Sequence, residues 1–194
     1  MRRITFHEAG HALMNMLFFG DLVKVTIIPD STGGQFCENL PADRLDWSND
    51  DIRRRHGIEG AAIALAGKAA TPLFCLCNIC KTEDEAIERM GPRDEDGEQV
   101  RRWTAPLSDE TKIAFHSAVI ATLQRHRPQL DAIVEALLEH KTLSGAQVFE
   151  VMRASGWKPE TDPDPEQFFS EVLGCSKEEL PMVLRNSGYE TRPA

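Results

Sequence analysis

Residues Phe6 to Leu13 read FHEAGHAL and contain the pattern H-E-x-x-H, with histidines at positions 7 and 11 and a glutamate at position 8. Alanine, leucine and methionine dominate the residues that follow, and all three are strong helix formers. The stretch therefore predicts a helix, with Thr5 as a candidate cap just upstream. Glycine costs a helix roughly 1 kcal/mol relative to alanine, so something other than helix propensity must account for Gly10.

This spacing suits a bound metal ion. Residues four apart lie one turn apart on the same helix face, so His7 and His11 can direct ring nitrogens at one point. A tetrahedral zinc ion with bonds of ~2.0–2.1 Å needs such an arrangement. Glu8 is rotated by ~100° from His7, which places it beside the ion rather than on it. From there it can accept a proton from a water whose pKa zinc lowers towards ~7. The pattern predicts His7 and His11 as zinc ligands and Glu8 as a general base; a chance match on an amphipathic helix is the alternative.

A third protein ligand is expected, because two histidines and a water leave one tetrahedral position open. The extended pattern H-E-x-x-H-x-x-G-x-x-H is absent, since positions 14 and 17 hold Met14 and Leu17. A downstream carboxylate is then the expected ligand, and spacing alone does not choose among the candidates. The carboxylates and spare imidazoles include Glu38, Asp43, Asp84, Asp94, Asp96, His56, His116, His126 and His140.

The composition is that of an ordinary globular protein. The 194 residues are 41% hydrophobic and 27% charged, and a chain of this length can bury a substantial core. The net charge is −9, from 22 basic and 31 acidic residues, which argues against binding to nucleic acid or to an anionic membrane. We expect no nucleic-acid partner.

No segment predicts a membrane span or a secretion signal. The apolar run at residues 12–19 is interrupted by Asn15 and is shorter than the ~18–20 residues that cross a bilayer. The histidines and glutamate of the H-E-x-x-H pattern would lie inside the only candidate signal region, which argues against a signal peptide.

The cysteines do not predict a disulfide scaffold, because there are five of them in a long chain. We therefore expect a soluble protein of a reducing cytoplasm. Cys75, Cys77 and Cys80 have the spacing C-x-C-x-x-C without a partner pair. We interpret them as buried thiols without a metal, and a second metal site is the alternative.

Residues 22–29 (LVKVTIIP) are rich in β-branched side chains and predict a strand, which the sequence STGG then ends. The stretch predicts a core strand and a turn, and an exposed edge of the same strand can also pair with an extended peptide backbone. The two interpretations are compatible. On the second, the candidate substrate-binding residues are Val25, Thr26, Ile27, Ile28, Gly33 and Gly34.

The rest of the chain predicts helices. One extends from about Asp50 to Leu73, and Gly67 on its apolar face indicates a tight contact with neighbouring backbone. A helical bundle follows from Ser108, which can cap a helix, and Ser144 with Gln147 forms a capping box. The stretch KPETDPDPEQ (158–167) is a proline- and acid-rich linker. We divide the chain into a domain of residues 1–153 and an appendage of residues 154–194.

Four stretches resemble, in order, the peptidase domain of the FtsH-type ATP-dependent zinc metalloproteases. They are TFHEAGHAL, VKVTIIP followed by a Gly-Gly pair, AIALAGKAA, and LEHKTLSGAQVFEVM, and the resemblance covers residues 4–153. In that family the third zinc ligand is an aspartate followed four residues later by a small apolar residue. Asp96 with Val100 fits this pattern best, whereas Asp94 is followed by Glu98. The resemblance thus implies that Asp96 completes the zinc ligands.

The chain also departs from that family. The nucleotide-binding pattern G-x-x-x-x-G-K-[ST] is absent from the sequence, and AGKAA stands where the family has Gly-Gly-Arg-Ala-Ala. We also expect no membrane anchor before the H-E-x-x-H pattern. We expect a stand-alone peptidase that is independent of ATP as an isolated chain and acts on a protein or peptide substrate. A separate ATPase or a homo-oligomer is the alternative arrangement of partners.

The expected fold class is mainly α, with a minor β part: a zincin-like helical domain with the H-E-x-x-H helix and a small β element, followed by a helical bundle. The expected function is that of a zinc metalloendopeptidase. One alternative is a catalytically degenerate, metal-binding relative that acts as a binding or adaptor module. Another is a metal-dependent hydrolase of a non-peptide amide. Intact Glu8 favours an enzyme, because a purely structural site has no need of a base.

Overall fold

The computed structural model describes residues 2–18, 22–29, 36–39, 50–74, 95–105, 107–159, 165–176 and 178–179. These ranges form seven helices and three short strands, which confirms the mainly α class predicted from the sequence. The helices are α1 (Arg2–Phe18), α2 (Asp50–Phe74), α3 (Glu95–Thr104), α4 (Asp109–Arg125), α5 (Arg127–His140), α6 (Gly145–Ala154) and α7 (Pro165–Leu173). The strands are β1 (Leu22–Thr26), β2 (Phe36–Asn39) and β3 (Thr142–Ser144).

Helices α1 and α2 pack against each other in antiparallel orientation. A Cβ atom at Gly10 of α1 would lie 2.6 Å from the carbonyl oxygen of Ala66 and 2.8 Å from the Cβ of Ala70 in α2. Contacts this short would force the two backbones apart. Gly10 is therefore required by the close approach of the helices, which accounts for a residue that helix propensity disfavours.

Helix α1 begins at Arg2, so the cap predicted at Thr5 is wrong. Thr5 lies within the helix and is completely buried. The first turn is held by α2, because the hydroxyl of Thr71 donates to the carbonyl oxygen of Arg3 at 3.2 Å. Tertiary contact thus extends the helix beyond the end that its local sequence signals.

The three strands form a sheet in the order β2-β1-β3. Both partners run antiparallel to β1: Val25 pairs with Cys37 of β2 on one side and with Leu143 of β3 on the other. Strand β1 is therefore the central strand. Helix α6 follows β3 directly, and a Cβ atom at Gly145 would overlap the carbonyl oxygen of Leu22, so the helix begins in contact with the sheet.

The capping signals of the later helices are confirmed. The Ser108 hydroxyl accepts from the N–H of Thr111 at 3.2 Å at the start of α4. At the start of α6, Ser144 and Gln147 form both bonds of a capping box. In the described residues, no helix combines the length and the apolar character that crossing a membrane requires.

Helix α7 lies within the predicted appendage and packs against the helical domain. The ring centroids of Phe168 and Phe169 lie 5.2 Å and 5.6 Å from that of Phe18 at the end of α1. Phe169 also stacks on Phe115 of α4, with centroids 6.4 Å apart. These aromatic contacts attach α7 to α1 and α4.

Candidate metal centre

Three polar side chains from two helices converge on one point. The Nε2 atoms of His7 and His11 on α1 lie 3.1 Å apart. The Oδ2 atom of Asp96 on α3 lies 3.0 Å from Nε2 of His7 and 3.3 Å from Nε2 of His11. The structure thus brings together the three residues that the sequence and the resemblance predict as zinc ligands.

The elements that carry these residues account for their positions. His7 and His11 are one turn apart on α1, so their rings project from the same face. Asp96 lies in the first turn of α3, where the helix dipole favours a negative charge. Helix α2 packs against both α1 and α3 and so holds the two halves of the site together.

A backbone carbonyl fixes the orientation of His11. Its Nδ1 atom lies 2.9 Å from the carbonyl oxygen of Ile63 on α2. Because a carbonyl oxygen only accepts hydrogen bonds, Nδ1 donates, and a neutral ring then presents the lone pair of Nε2 to His7 and Asp96. The sequence gives no signal for this contact, since every residue carries a carbonyl group.

Gly67 provides the space for the His11 ring. A Cβ atom at this position would overlap the imidazole. Gly67 makes the tight contact that the sequence predicted, but the prediction of a backbone neighbour is wrong, because the His11 side chain lies there. Any larger residue at position 67 would displace the ring from the convergence point.

The site is buried at one side and open at the other. The His11 side chain is 9% exposed, whereas those of His7 and Asp96 are 31% and 24% exposed. His7 and Asp96 are thus the parts of the cluster that solvent reaches most readily.

The electrostatics of the site favour a positive charge between the rings and the carboxylate. Burial disfavours charged His11, but the hydrogen bond and charge of Asp96, together with the charge of Glu8, raise the pKa of His11 to about 9. Burial also disfavours the Asp96 carboxylate, yet hydrogen bonds from His11 and His7 hold its pKa well below the usual range. A proton or a metal cation satisfies this requirement.

Glu8 is buried beside the convergence point, with 4% of its surface exposed. Burial raises the pKa of its carboxyl group, the nearby His11 and His7 lower it, and Asp96 raises it. Within the described residues, its Oε2 atom accepts no hydrogen bond. A buried carboxylate oxygen without a donor costs free energy, so this atom is suited to a water molecule or a substrate group that enters the site.

The donor set and its spacing fit zinc. In a tetrahedral site with bonds of ~2.0–2.1 Å, neighbouring ligand atoms lie about 3.3 to 3.4 Å apart. The observed separations of 3.0, 3.1 and 3.3 Å are within a few tenths of an ångström of this value. Two imidazoles and one carboxylate are also a ligand set of catalytic zinc sites, in which the fourth position stays open.

Among the candidate ligands whose side chains the structure describes, His116, His126 and His140 do not join this group. Asp43 and Asp84 lie outside the described residues, and the side chains of Glu38 and His56 are not described. In the described part of the chain, the trio of His7, His11 and Asp96 is the one group of three residues with metal-binding geometry. Asp94 and the three clustered cysteines lie outside the described residues, so the predictions for them stay untested. The cysteines are Cys75, Cys77 and Cys80.

The predicted substrate strand needs a correction. The sequence indicated an exposed edge along residues 25–28, but β1 is the central strand. Val25 and Thr26 each pair with β2 on one side and with β3 on the other. Both edges are occupied by neighbouring strands at these two residues, so the prediction that they pair with a substrate backbone is wrong.

The other predicted substrate residues have different environments. The N–H of Ile27 donates to the carbonyl oxygen of Lys141 at 2.9 Å. This N–H group is therefore already paired within the chain. Ile28 is 54% exposed and stays a candidate for substrate contact. Gly33 and Gly34 lie outside the described residues.

Comparison with known proteins points to one family. No family model matches the chain. The chain is 28% identical over 181 residues to the ATP-dependent zinc metalloprotease FtsH 2 of Symbiobacterium thermophilum, an alignment that covers 79% of this chain and 30% of that protein. It is 25% identical over 200 residues to the ATP-dependent zinc metalloprotease FtsH of Thermobaculum terrenum, covering 82% of this chain and 30% of that protein. It is 24% identical over 219 residues to the FtsH of Leptotrichia buccalis, covering 97% of this chain and 28% of that protein.

Most of the chain is thus similar to FtsH zinc metalloproteases. The identity is low, and the chain spans less than a third of the length of the curated relatives it matches. The similarity agrees with the family resemblance carried by the H-E-x-x-H stretch, and it covers the region that contains the three converging side chains.

Proposed function

We propose that this chain is a zinc-dependent metallopeptidase in which His7, His11 and Asp96 bind the ion and Glu8 is the general base. The observation that carries the proposal is the convergence of two imidazole nitrogens and one carboxylate oxygen within 3.3 Å of one another, beside a buried glutamate. The printed names of the relatives, zinc metalloproteases, support the same chemistry.

The chain's own residues account for the proton transfers of peptide hydrolysis. A zinc ion in this site supplies Lewis-acid polarisation of the scissile carbonyl and lowers the pKa of water towards ~7. Glu8 accepts a proton from the attacking water and delivers it to the leaving nitrogen. Burial of Glu8 raises its pKa, and a base with a pKa nearer the working pH transfers protons more effectively in both directions. Ile63 and Gly67 hold the His11 ring in place.

The matched region is less than a third of each relative, so we propose peptide hydrolysis alone and not the ATP-dependent activity in the relatives' names. The substrate is a protein or peptide, with Ile28 as a candidate contact. The proposed peptidase acts as an isolated chain. The alternative arrangements are a complex with a separate ATPase and a homo-oligomer.

The test combines metal analysis with a peptidase assay. We expect purified protein to contain stoichiometric zinc and to cleave casein or a fluorogenic peptide. A chelator should abolish cleavage, and added zinc should restore it. Zinc without cleavage would favour the binding or adaptor module, and absence of zinc would contradict the site assignment.

The assignment of the third ligand has its own prediction. Asp96→Ala removes one of three protein ligands, and we expect zinc affinity to fall at least ~100-fold. Loss of a residue that only hydrogen-bonds to a ligand already costs up to ~100-fold in affinity. Asp94→Ala, two residues away, should change affinity much less. Affinity is measured by competition with a chromogenic chelator. The reverse order of the two variants would move the ligand to Asp94.

A further inference from the structure

Helix α3 presents Asp96 and Trp103 on the same face. The two residues are seven apart, which is two helical turns, and Gln99 and Val100 lie between them on that face. Val100 is buried and Trp103 is half-buried. The candidate metal ligand is thus at one end of a face whose other end is an indole ring.

That indole ring lies directly on the backbone of α2. A Cβ atom at Gly57 would overlap the ring of Trp103. Further along α2, a Cβ atom at Gly60 would lie 2.6 Å from the side-chain nitrogen of Gln99. Position 57 therefore faces position 103, and position 60 faces position 99, so α3 runs antiparallel to α2.

The same alignment leads from the indole ring to the metal site. One turn further along α2, the same antiparallel pairing of positions brings Asp96 to the level of Ile63. The carbonyl oxygen of Ile63 holds the His11 ring. Gly57, Gly60 and Gly67 lie along α2, and the last of them contacts His11. This series of glycines thus ends where the three candidate ligands meet. The axial position of α3 on α2 decides whether Asp96 reaches the two histidines.

We propose that Trp103 is the positioning residue for the third metal ligand. Its ring, seated on Gly57, fixes α3 along α2 so that Asp96 meets His7 and His11. The α3 helix transmits this constraint as a rigid spacer of about 10 Å, from seven residues at ~1.5 Å each. The inference rests on the proposed metal site, and it assigns a role to a residue that does not touch the ion.

The first test measures zinc affinity by chelator competition. Trp103→Ala removes the ring, and Gly57→Ala displaces it, so we expect each to weaken zinc binding ~10-fold, the lower range for losing an indirect support of a ligand. Trp103→Phe keeps an aromatic ring on Gly57 and should retain near wild-type affinity. Arg101→Ala is the control, because this exposed residue pairs with Glu98 on the same helix. Far-UV circular dichroism shows whether each variant is folded.

The second test separates positioning from general stability. If Trp103 acts through Asp96, adding Trp103→Ala to the Asp96→Ala variant should cost no further zinc affinity, because the ligand it positions is already absent. Additive losses would show a general effect on the fold and overturn the proposal, as would unchanged zinc affinity in both Trp103→Ala and Gly57→Ala. A wild-type chain that binds zinc without cleaving peptides would contradict the proposed peptidase and leave this inference standing. A wild-type chain that binds no zinc would overturn both.

Discussion

Glu8→Gln is expected to abolish peptide hydrolysis while the protein keeps its zinc. The amide has nearly the same shape as the carboxylate but cannot accept a proton, and general-base catalysis contributes about 10²- to 10⁴-fold to a rate. Glu8 is not one of the converging ligands, so zinc content should stay at one ion per chain. The measurements are the kcat for a fluorogenic peptide and elemental analysis of the same preparation.

Glu110→Gln is the matched control, because Glu110 is exposed in the first turn of α4. It should retain wild-type kcat and wild-type zinc. Substantial hydrolysis by Glu8→Gln would place the base elsewhere. Loss of zinc in that variant would indicate that Glu8 supports the ligands rather than the proton transfer.

His11→Ala is expected to lose both zinc and hydrolysis. The substitution removes the most buried of the three ligands and opens a void beside Gly67. It also removes the hydrogen bond from Nδ1 of the ring to the Ile63 carbonyl, and such a bond contributes about 0.5–1.5 kcal/mol to stability. We therefore expect a lower free energy of unfolding as well, measured by urea denaturation alongside zinc analysis and the peptidase assay.

The control for this experiment is His140→Ala. His140 lies at the end of α5 with its side chain 54% exposed, and its ring nitrogen is 3.9 Å from Glu139. Its loss should leave zinc, hydrolysis and stability close to those of the wild type. Stoichiometric zinc in His11→Ala would refute the assignment of the metal site, whatever the activity.

The sequence predicts the part of the site that lies within one helix. His7, Glu8 and His11 are related by helical geometry alone, so their arrangement follows from their spacing. Asp96 is different, because residues 12–95 separate it from His11 and no local rule connects the two. It was selected by family resemblance, and the structure brings it to the two imidazoles.

The features that the sequence did not predict correctly depend on contacts between segments that are distant in the chain. Strand β3 is three residues long, too short for its composition to signal a strand, yet it occupies one edge of β1 and excludes the predicted substrate pairing at Val25 and Thr26. The early start of α1 is accompanied by a hydrogen bond from Thr71 of α2 to the Arg3 carbonyl. The support of His11 comes from the backbone of Ile63, which no residue type reveals.

The division of the site between α1 and α3 has a consequence for biosynthesis. A ribosome delivers a polypeptide from its amino end, so both imidazoles and the base emerge long before the aspartate that completes the cluster. Even after position 96 has emerged, α3 must dock on α2 before the cluster closes. Under the proposed assignment, the chain therefore becomes able to hydrolyse peptides only after α2 has folded. A nascent chain then does not cleave other nascent chains on the same mRNA.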